Sequence, residues 1–519
     1  MEQDTSTIMT TTQRRYALLL INPRRRLRYF WDFKELCEVM GKKSPVPLLS
    51  LPTIAAITPA QYDIHIIDEE AEAVDFSLRP DIIGITALGN SVKRGYEIAD
   101  RFRDKGIPVV MGGPQVSFNV ELSLEHADAV VICEAEGAWQ QCLQDFERGT
   151  LQPTYKNAAV CDFKKSPVPR WDLIATEKFM AIPVQVSRGC PYKCDFCAVR
   201  NMLGPRHRYR EIDNVIAEIK ALPKRQLTFA DDNLTADKKY AHALMERLKP
   251  LKISWMCQAS LDLCEDEDLL TKMAAAGCTS IFVGIESLDD ASLREAGKHH
   301  NKREKFEKGI KTIHNHGIHV IGSFIVGFDS DHLDAFDTIF DFTVKNAISM
   351  VSLNMLTAYP GTDLYDRMKQ EGRVNAIDTD MLGIYPTMRY MHISQAEMFR
   401  KYFSVLEKMF SYEVVLQKAG ITLGNGKFTH YNEADIGIMD KLRSMAYLFR
   451  QYLTTDNPAK KELYRMLFRL AREKKVSIGN VIEYLLLIAS FNGYLQATAA
   501  HRAEILEEIE QVDPGPICA

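Results

Sequence analysis

The sequence predicts an α/β protein in three parts: a Rossmann-like domain, an incomplete barrel of six β/α units, and a helical C-terminal domain. Three observations carry this. Short runs rich in Val, Ile and Leu alternate with helical stretches in two successive blocks, the pattern of parallel strands joined by crossover helices. The strand pattern fades beyond Gly372, where long helical stretches take over. The 519 residues exceed one ordinary core, and 46% hydrophobic with 26% charged residues is a globular composition.

The elements follow in order. "YALLLINP" reads as a strand, "VPLLSLPTIAAITP" as a helix, "YDIHIID" and "PDIIGITAL" as strands, and "SVKRGYEIADRFRDKG" as a helix. "IPVVMGGP" and "ADAVVICEAEG" complete a doubly wound parallel sheet in a domain spanning 1–147. Such sheets bind ligands beyond the carboxyl ends of their strands. Thr86, Leu88, Gly112, Gly113 and Glu136 fall there, positions suited to a large flat ligand. A polar connector with Pro153, Pro167 and Pro169 is expected at 148–177. In 178–372 six strand candidates follow: "IPVQVS", "QLTFAD", "SWMCQAS", "SIFVGIE", "HVIGSFIVG" and "MVSLNML". Six β/α units suggest a partial (β/α)6 barrel whose active face is again at the carboxyl ends. The remainder, 373–519, is expected to be helical, and "EYLLLIASF" within it reads as core packing.

The net charge of −5 argues against binding nucleic acid through bulk positive charge. Eleven cysteines, scattered except for one cluster, fit a reduced cytoplasmic protein better than a disulfide framework. Arg14-Arg15 precede an apolar run too short for an export signal, so a frayed tail followed by a buried strand is expected. No uninterrupted apolar run reaches the length of a membrane span. Arg24, Arg25, Arg26 and Arg28 follow the first strand. They suit an anionic ligand, or equally a solvated basic loop, and Phe30 and Trp31 beside them either wall a cofactor or pack. His299 and the trio His314, His316 and His319 lack a common face and are read as structural rather than metal-binding.

The informative stretch is "SRGCPYKCDFCAVR", which spaces Cys190, Cys194 and Cys197 as CxxxCxxC just after the barrel's first strand. Three thiolates are one short of a closed zinc site, but suit a 4Fe–4S cluster with one iron left open. A zinc site or surface thiols are the alternative.

With Phe196 in place, this stretch resembles the radical S-adenosylmethionine (radical SAM) superfamily, whose hallmark is CxxxCxΦC. The resemblance implies that Cys190, Cys194 and Cys197 ligate a catalytic 4Fe–4S cluster and that SAM chelates its open iron. It further implies that Asp231 and Asp232 in "FADDN" hold SAM's ammonium, that Gln258 and Ser260 reach SAM, and that Glu286 in "GIES" faces the ribose or carboxylate. Gly327 in "SFIVGFD" would let the backbone approach adenine. "FWDFKELCEVMGKKSPVPLLSL", "VVMGGP", "VICEAEG" and "NMLTAYPGTDLYDRM" also resemble the cobalamin-dependent branch around the hopanoid C-2 methylases. That likeness implies cobalamin in the N-terminal domain, methyl transfer to an unactivated carbon of a small molecule or lipid, and an external electron donor such as flavodoxin or ferredoxin. The histidine motif DxHxxG of many cobalamin domains is absent: Asp63-Ile64-His65 mimics its start without the glycine, and His65 reads as structural. Tyr359, Tyr385, Met388 and Tyr390 are candidate liners of an apolar substrate mouth. Aminocarboxypropyl transfer with a vestigial N-terminal domain, and a non-catalytic sensor, are the competing readings.

Overall fold

The computed structural model describes residues 14–298, 301–375, 385–424, 437–473 and 476–518. The expected frayed tail at 1–13 and His299 lie outside them. Six parallel strands form the first sheet: β1 (Tyr16–Asn22), β2 (Tyr62–Asp68), β3 (Ile82–Thr86), β4 (Val109–Gly112), β5 (Ala129–Ile132) and β6 (Thr154–Lys156). Their order, β2-β1-β3-β4-β5-β6, reverses between β1 and β3, which opens a crevice at their carboxyl ends. In β1, Leu18 and Leu20 pack into one core and Leu19 and Ile21 into the other. Burial on both faces is why the strand reads as an unbroken apolar run. β6 was not expected. It lies inside the segment read as a connector, and its "TYK" is too short and polar to show a period.

The strand β7 (Ile182–Val184) starts the barrel, and an antiparallel ribbon of β8 (Ser187–Arg188) and β9 (Arg208–Tyr209) follows it. Then come β10 (Gln226–Phe229), β11 (Ser254–Ala259), β12 (Cys278–Glu286), β13 (His319–Val326) and β14 (Met350–Met355). β7 and β10 to β14 lie side by side in chain order, all parallel, giving the expected six-stranded partial barrel. Trp255, Cys257 and Ala259 of β11 are buried. Alternation therefore turns Met256 and Gln258 to the inner face.

The C-terminal part is helical, and one continuous apolar core runs from the barrel into it. The helix Ile478–Val512 closes the barrel's lower mouth. Its Asn480, Glu483, Tyr484 and Leu487 share a cavity of about 100 Å³ with Ser280, His319 and Ser349, which sit at or beside the amino ends of β12, β13 and β14. Among the described residues it is the one helix long and apolar enough to cross a membrane, yet 56% of its apolar window is buried within the protein. Core packing accounts for it.

Phe30 stacks on Phe491 of this helix at 4.6 Å, and Trp31 meets Phe282 of β12 at 6.1 Å. Both therefore pack. Three of the four arginines beside them have side chains paired within the protein. Arg25 pairs with Glu70, Arg26 with Glu97, and Arg28 with Asp32 and Glu35, while Arg24 donates its backbone N–H to Glu69. At Arg25, Arg26 and Arg28 the anions met are the protein's own carboxylates.

Candidate active site

The cysteine loop leaves β8 and is fastened from several sides. Asp231, at the end of β10, is fully buried and accepts from the backbone N–H of Val186 at 3.1 Å and from both the N–H and hydroxyl of Ser187. Burial pushes its carboxyl up to about 7, against those donors. Ser260 accepts from Asn233 and bonds Tyr192 inside the loop. The Asp195 N–H donates to Ala296 O, the Leu364 N–H donates to Asp195 O, and Lys193 pairs with Asp363 at 3.1 Å. Asp231, enclosed by these donors, thus shapes the loop rather than receiving SAM, which corrects that expectation, and Ser260 is tied to the same loop through Tyr192.

The three thiols are half-buried. Burial pushes all of them up, Cys194 to about 12, with the Lys298 cation pulling the other way. Among the described residues, the one three-ligand grouping tight enough for a single ion is Glu134, Glu136 and Cys161, not this loop. Wider spacing is what a cluster requires, since each cysteine ligates a different iron. The donor set fits a 4Fe–4S cluster.

Asp232 behaves unlike its neighbour. It accepts the Gly189 N–H, but its Oδ2 is buried with no partner. Burial raises its pKa, and its charge helps to raise the nearby Cys190 and Cys197 thiols. A buried carboxylate oxygen with no partner is costly unless a cation completes it, and it sits beside the cysteine loop. Glu286 ends β12 at φ +68°, a strained conformation for a non-glycine residue, and pairs with Lys298 at 2.8 Å. Burial works to lower the Lys298 pKa, but Glu286 and Cys194 outweigh it and raise it. Lys298, which sequence reasoning missed, therefore stays cationic beside the loop. Nothing in its local sequence marks it; the fold brings it there. Gln258 remains exposed on the inner face.

Gly327 lies directly after β13. At φ +122° it has the expected freedom, but an added Cβ would meet the Tyr390 ring at 2.6 Å. Tyr390 packs where that Cβ would stand, and its hydroxyl donates to Leu356 O. Tyr390 and Met388 are core residues, not substrate liners. Tyr359 is only partly buried, and Tyr385 packs against the same core.

A second feature adjoins the loop. Thr86, Leu88, Gly112, Gly113 and Glu136 all line one cleft of about 500 Å³, together with Leu20, Leu51, Val110, Val131 and Trp139. Gly113 caps the short helix Pro114–Phe118 at φ +102°, where a Cβ would meet Ala87 O at 2.7 Å. The far wall comes from the barrel: Gln185, Arg188, Met202, Leu203 and Ala230. Arg188 binds Glu134 at 2.9 Å and Glu136 at 2.8 Å, and Arg208 adds a second contact to Glu134. Burial raises the Glu134 pKa, yet the two arginines lower it further, so the carboxylate is held ionised. Glu136 is therefore a wall residue already paired with Arg188, and Arg188 was visible in the sequence only as part of "SRGC". A largely apolar cleft at the crevice of a doubly wound sheet fits a corrin.

The histidines stand apart. His65 lies exposed on edge strand β2, away from the cleft lining. His316 contacts the Thr312 carbonyl. Burial lowers His314 to about 4 and His319 to about 3.

The comparisons agree with this geometry. Residues 184–343 match the model of the Radical SAM superfamily, and residues 362–504 match a Domain of unknown function (DUF4070). Bacteriochlorophyllide d C-8(2)-methyltransferase of Chlorobaculum tepidum is 29% identical, over 65% of this chain and 79% of that protein. An uncharacterized methyltransferase of Pyrococcus horikoshii is 30% identical, over 62% of this chain and 78% of its own length. The hopanoid C-2 methylase of Rhodopseudomonas palustris is 28% identical, over 63% and 65%. Among solved structures, the cobalamin-dependent S-adenosylmethionine radical enzyme OxsB, with aqua-cobalamin and S-adenosylmethionine bound, shares the fold. Its TM-score is 0.59 at 17% identity, over 96% of this chain and 84% of that one. With the cysteine loop at the head of the barrel and these relatives across most of their length, the chain is an enzyme of the radical SAM superfamily, in the family of these methyltransferases.

Proposed function

We propose that the enzyme transfers a methyl group to an unactivated carbon of a small-molecule or lipid acceptor, using a 4Fe–4S cluster, SAM and cobalamin. The observation that carries this reading is the shared wall of the cleft. Met202 and Leu203, a few residues past Cys197, and Arg188, just before Cys190, line the same cavity as Thr86, Leu88 and Gly112 of the N-terminal sheet. A ligand held by that sheet therefore lies against the loop that would hold the cluster. When bound, the cluster and cobalamin would supply the electron that cleaves SAM and the carrier for its methyl group.

The chain's own residues do the positioning. Cys190, Cys194 and Cys197 would hold the iron, and Asp231, Ser260 and Tyr192 fix their loop. Asp232 Oδ2 accepts a hydrogen bond from SAM's ammonium, a charge-assisted contact. Lys298, kept cationic by Glu286, offsets negative charge at the cluster and SAM's carboxylate. Gln258 is placed to contact substrate or SAM from the inner face. The relatives methylate a bacteriochlorophyllide in one case and a hopanoid in another, which supports an apolar acceptor.

The test is anaerobic reconstitution with SAM and reductant, with and without hydroxocobalamin, followed by mass spectrometry. Cobalamin-dependent S-adenosylhomocysteine together with 5′-deoxyadenosine is expected. Methylthioadenosine indifferent to cobalamin would replace this reading with aminocarboxypropyl transfer.

A further inference from the structure

We infer that the helix Ile438–Thr454 docks this enzyme on a bilayer surface bearing anionic headgroups. The inference does not depend on what the acceptor is. The helix packs inward through Ser444 and Leu448, both fully buried, and Ser444 meets the Met40 sulfur. Its other side turns large apolar side chains to solvent: Ile438 at 71%, Leu442 at 57%, Phe449 at 63% and Leu453 at 61% exposure, with Met445 among them. At about 100° per residue these five fall within an arc of about 80°. That is one continuous stripe and not a scatter of single exposed residues, which would need no explanation.

Charge selects the occupant. Arg443 and Arg450 border the stripe on one side, and Lys441 lies on the other. Between Gly437 and Glu473 the chain carries eight lysines and arginines against four acids, in a protein of net charge −5. Arg465, Arg469 and Arg472 of the next helix, Pro458–Arg472, are exposed as well. An apolar stripe rimmed with cations is the pattern of a helix lying in a membrane interface, apolar face in the acyl boundary and arginines at the phosphates. A second copy fits less well, because a two-fold contact would set this basic rim against itself.

The position has a consequence for the site. The helix rests on Met40 and Gly41, where an added Gly41 Cβ would meet the Arg443 guanidinium at 2.6 Å. Leu48, Leu49 and Leu51 of the cleft wall follow within the next residues. Docking therefore sets the bilayer near the segment that leads into the cleft.

The experiment is flotation of the full chain with vesicles of phosphatidylglycerol and phosphatidylcholine, and with phosphatidylcholine alone. At least about tenfold stronger binding to the anionic vesicles is expected, weakened by salt. Phe449→Glu and, separately, Arg450→Glu should each weaken that preference at least several-fold with unchanged circular dichroism, since these side chains face solvent. The inference is overturned if the native protein stays in solution with both vesicles, or if the variants float like the native chain. It is equally overturned if sedimentation shows a dimer that Phe449→Glu dissociates, which would make the stripe a self-association face.

Discussion

The carboxyl ends of the two parallel sheets carry different chemistry. On the N-terminal side the wall is Leu20, Leu51, Val110 and Val131, and the lining carboxylates Glu134 and Glu136 are paired with Arg188 and Arg208. On the barrel side, Asp232 keeps a buried oxygen without a partner, and Lys298 and Glu286 stand beside three thiols. The first arrangement recognises a ligand by shape and apolar area, the second by charge. The same strand–helix repeat serves both, because the fold fixes only where the strand ends lie.

Replacing Cys194 by Ala should break the barrel half alone, and with the largest effect. Iron–sulfur absorbance and SAM cleavage are expected to vanish, while cobalamin retained after desalting stays at the native level. Loss of both cofactors together would mean that the two walls do not bind separately. Asp232→Asn comes next. Losing one charge-assisted bond predicts roughly 10- to 100-fold weaker SAM binding by calorimetry, with iron content unchanged. The same variant should unfold at higher denaturant than the native apoprotein, because it removes a buried, partly unpartnered carboxylate. Asp231→Asn offers the contrast: it strikes the loop's fastener, so iron content falls with SAM affinity.

Gly112→Leu tests the other wall. A Cβ there meets nothing nearer than Val131 O at 3.5 Å, so the domain tolerates a side chain, which would then occupy the cleft. Cobalamin binding should weaken by about tenfold from overpacking, with SAM cleavage intact. A variant that binds cobalamin normally would move the corrin elsewhere.

The cysteine loop and all six barrel strands were legible because both signals are local: a fixed spacing, and β-branched runs bounded by turns. What was not legible depended on partners far along the chain. Asp231 and Asp232 are adjacent and chemically identical, yet one is enclosed by Val186 and Ser187 while the other turns to the cysteines. Only the fold separates them. Gly327 has the backbone freedom its place suggested, but that a side chain there would strike Tyr390, more than sixty residues on, is set by the fold alone. The basic loop at Arg24 to Arg28 read equally as an anion site or a solvated loop, and Glu70 and Glu97, which pair with Arg25 and Arg26, come from beyond the next strand.

The barrel's lower mouth extends the comparison to polar groups with no ligand to serve. Glu483 faces the small cavity beneath β12 to β14, and burial alone raises its pKa to about 7. Below about pH 4.5 the carboxyl is protonated in both folded and unfolded chains, so it has no effect. Between about 4.5 and 7 the unfolded chain releases the proton that the folded one keeps, so stability falls as pH rises. Above about 7 the loss is complete, about 3 kcal/mol for a shift of this size. Glu483→Gln retains the shape without the charge. It should therefore unfold in urea like the native protein at pH 4, and resist unfolding by up to about 3 kcal/mol more at pH 8. SAM affinity should not change in this variant. Asp232→Asn also gains stability but loses its ligand, so the pair separates a buried carboxylate that waits for a cation from one that helix packing merely tolerates. Equal stability of Glu483→Gln and the native chain at pH 8 would show that water reaches the cavity well enough to solvate the charge.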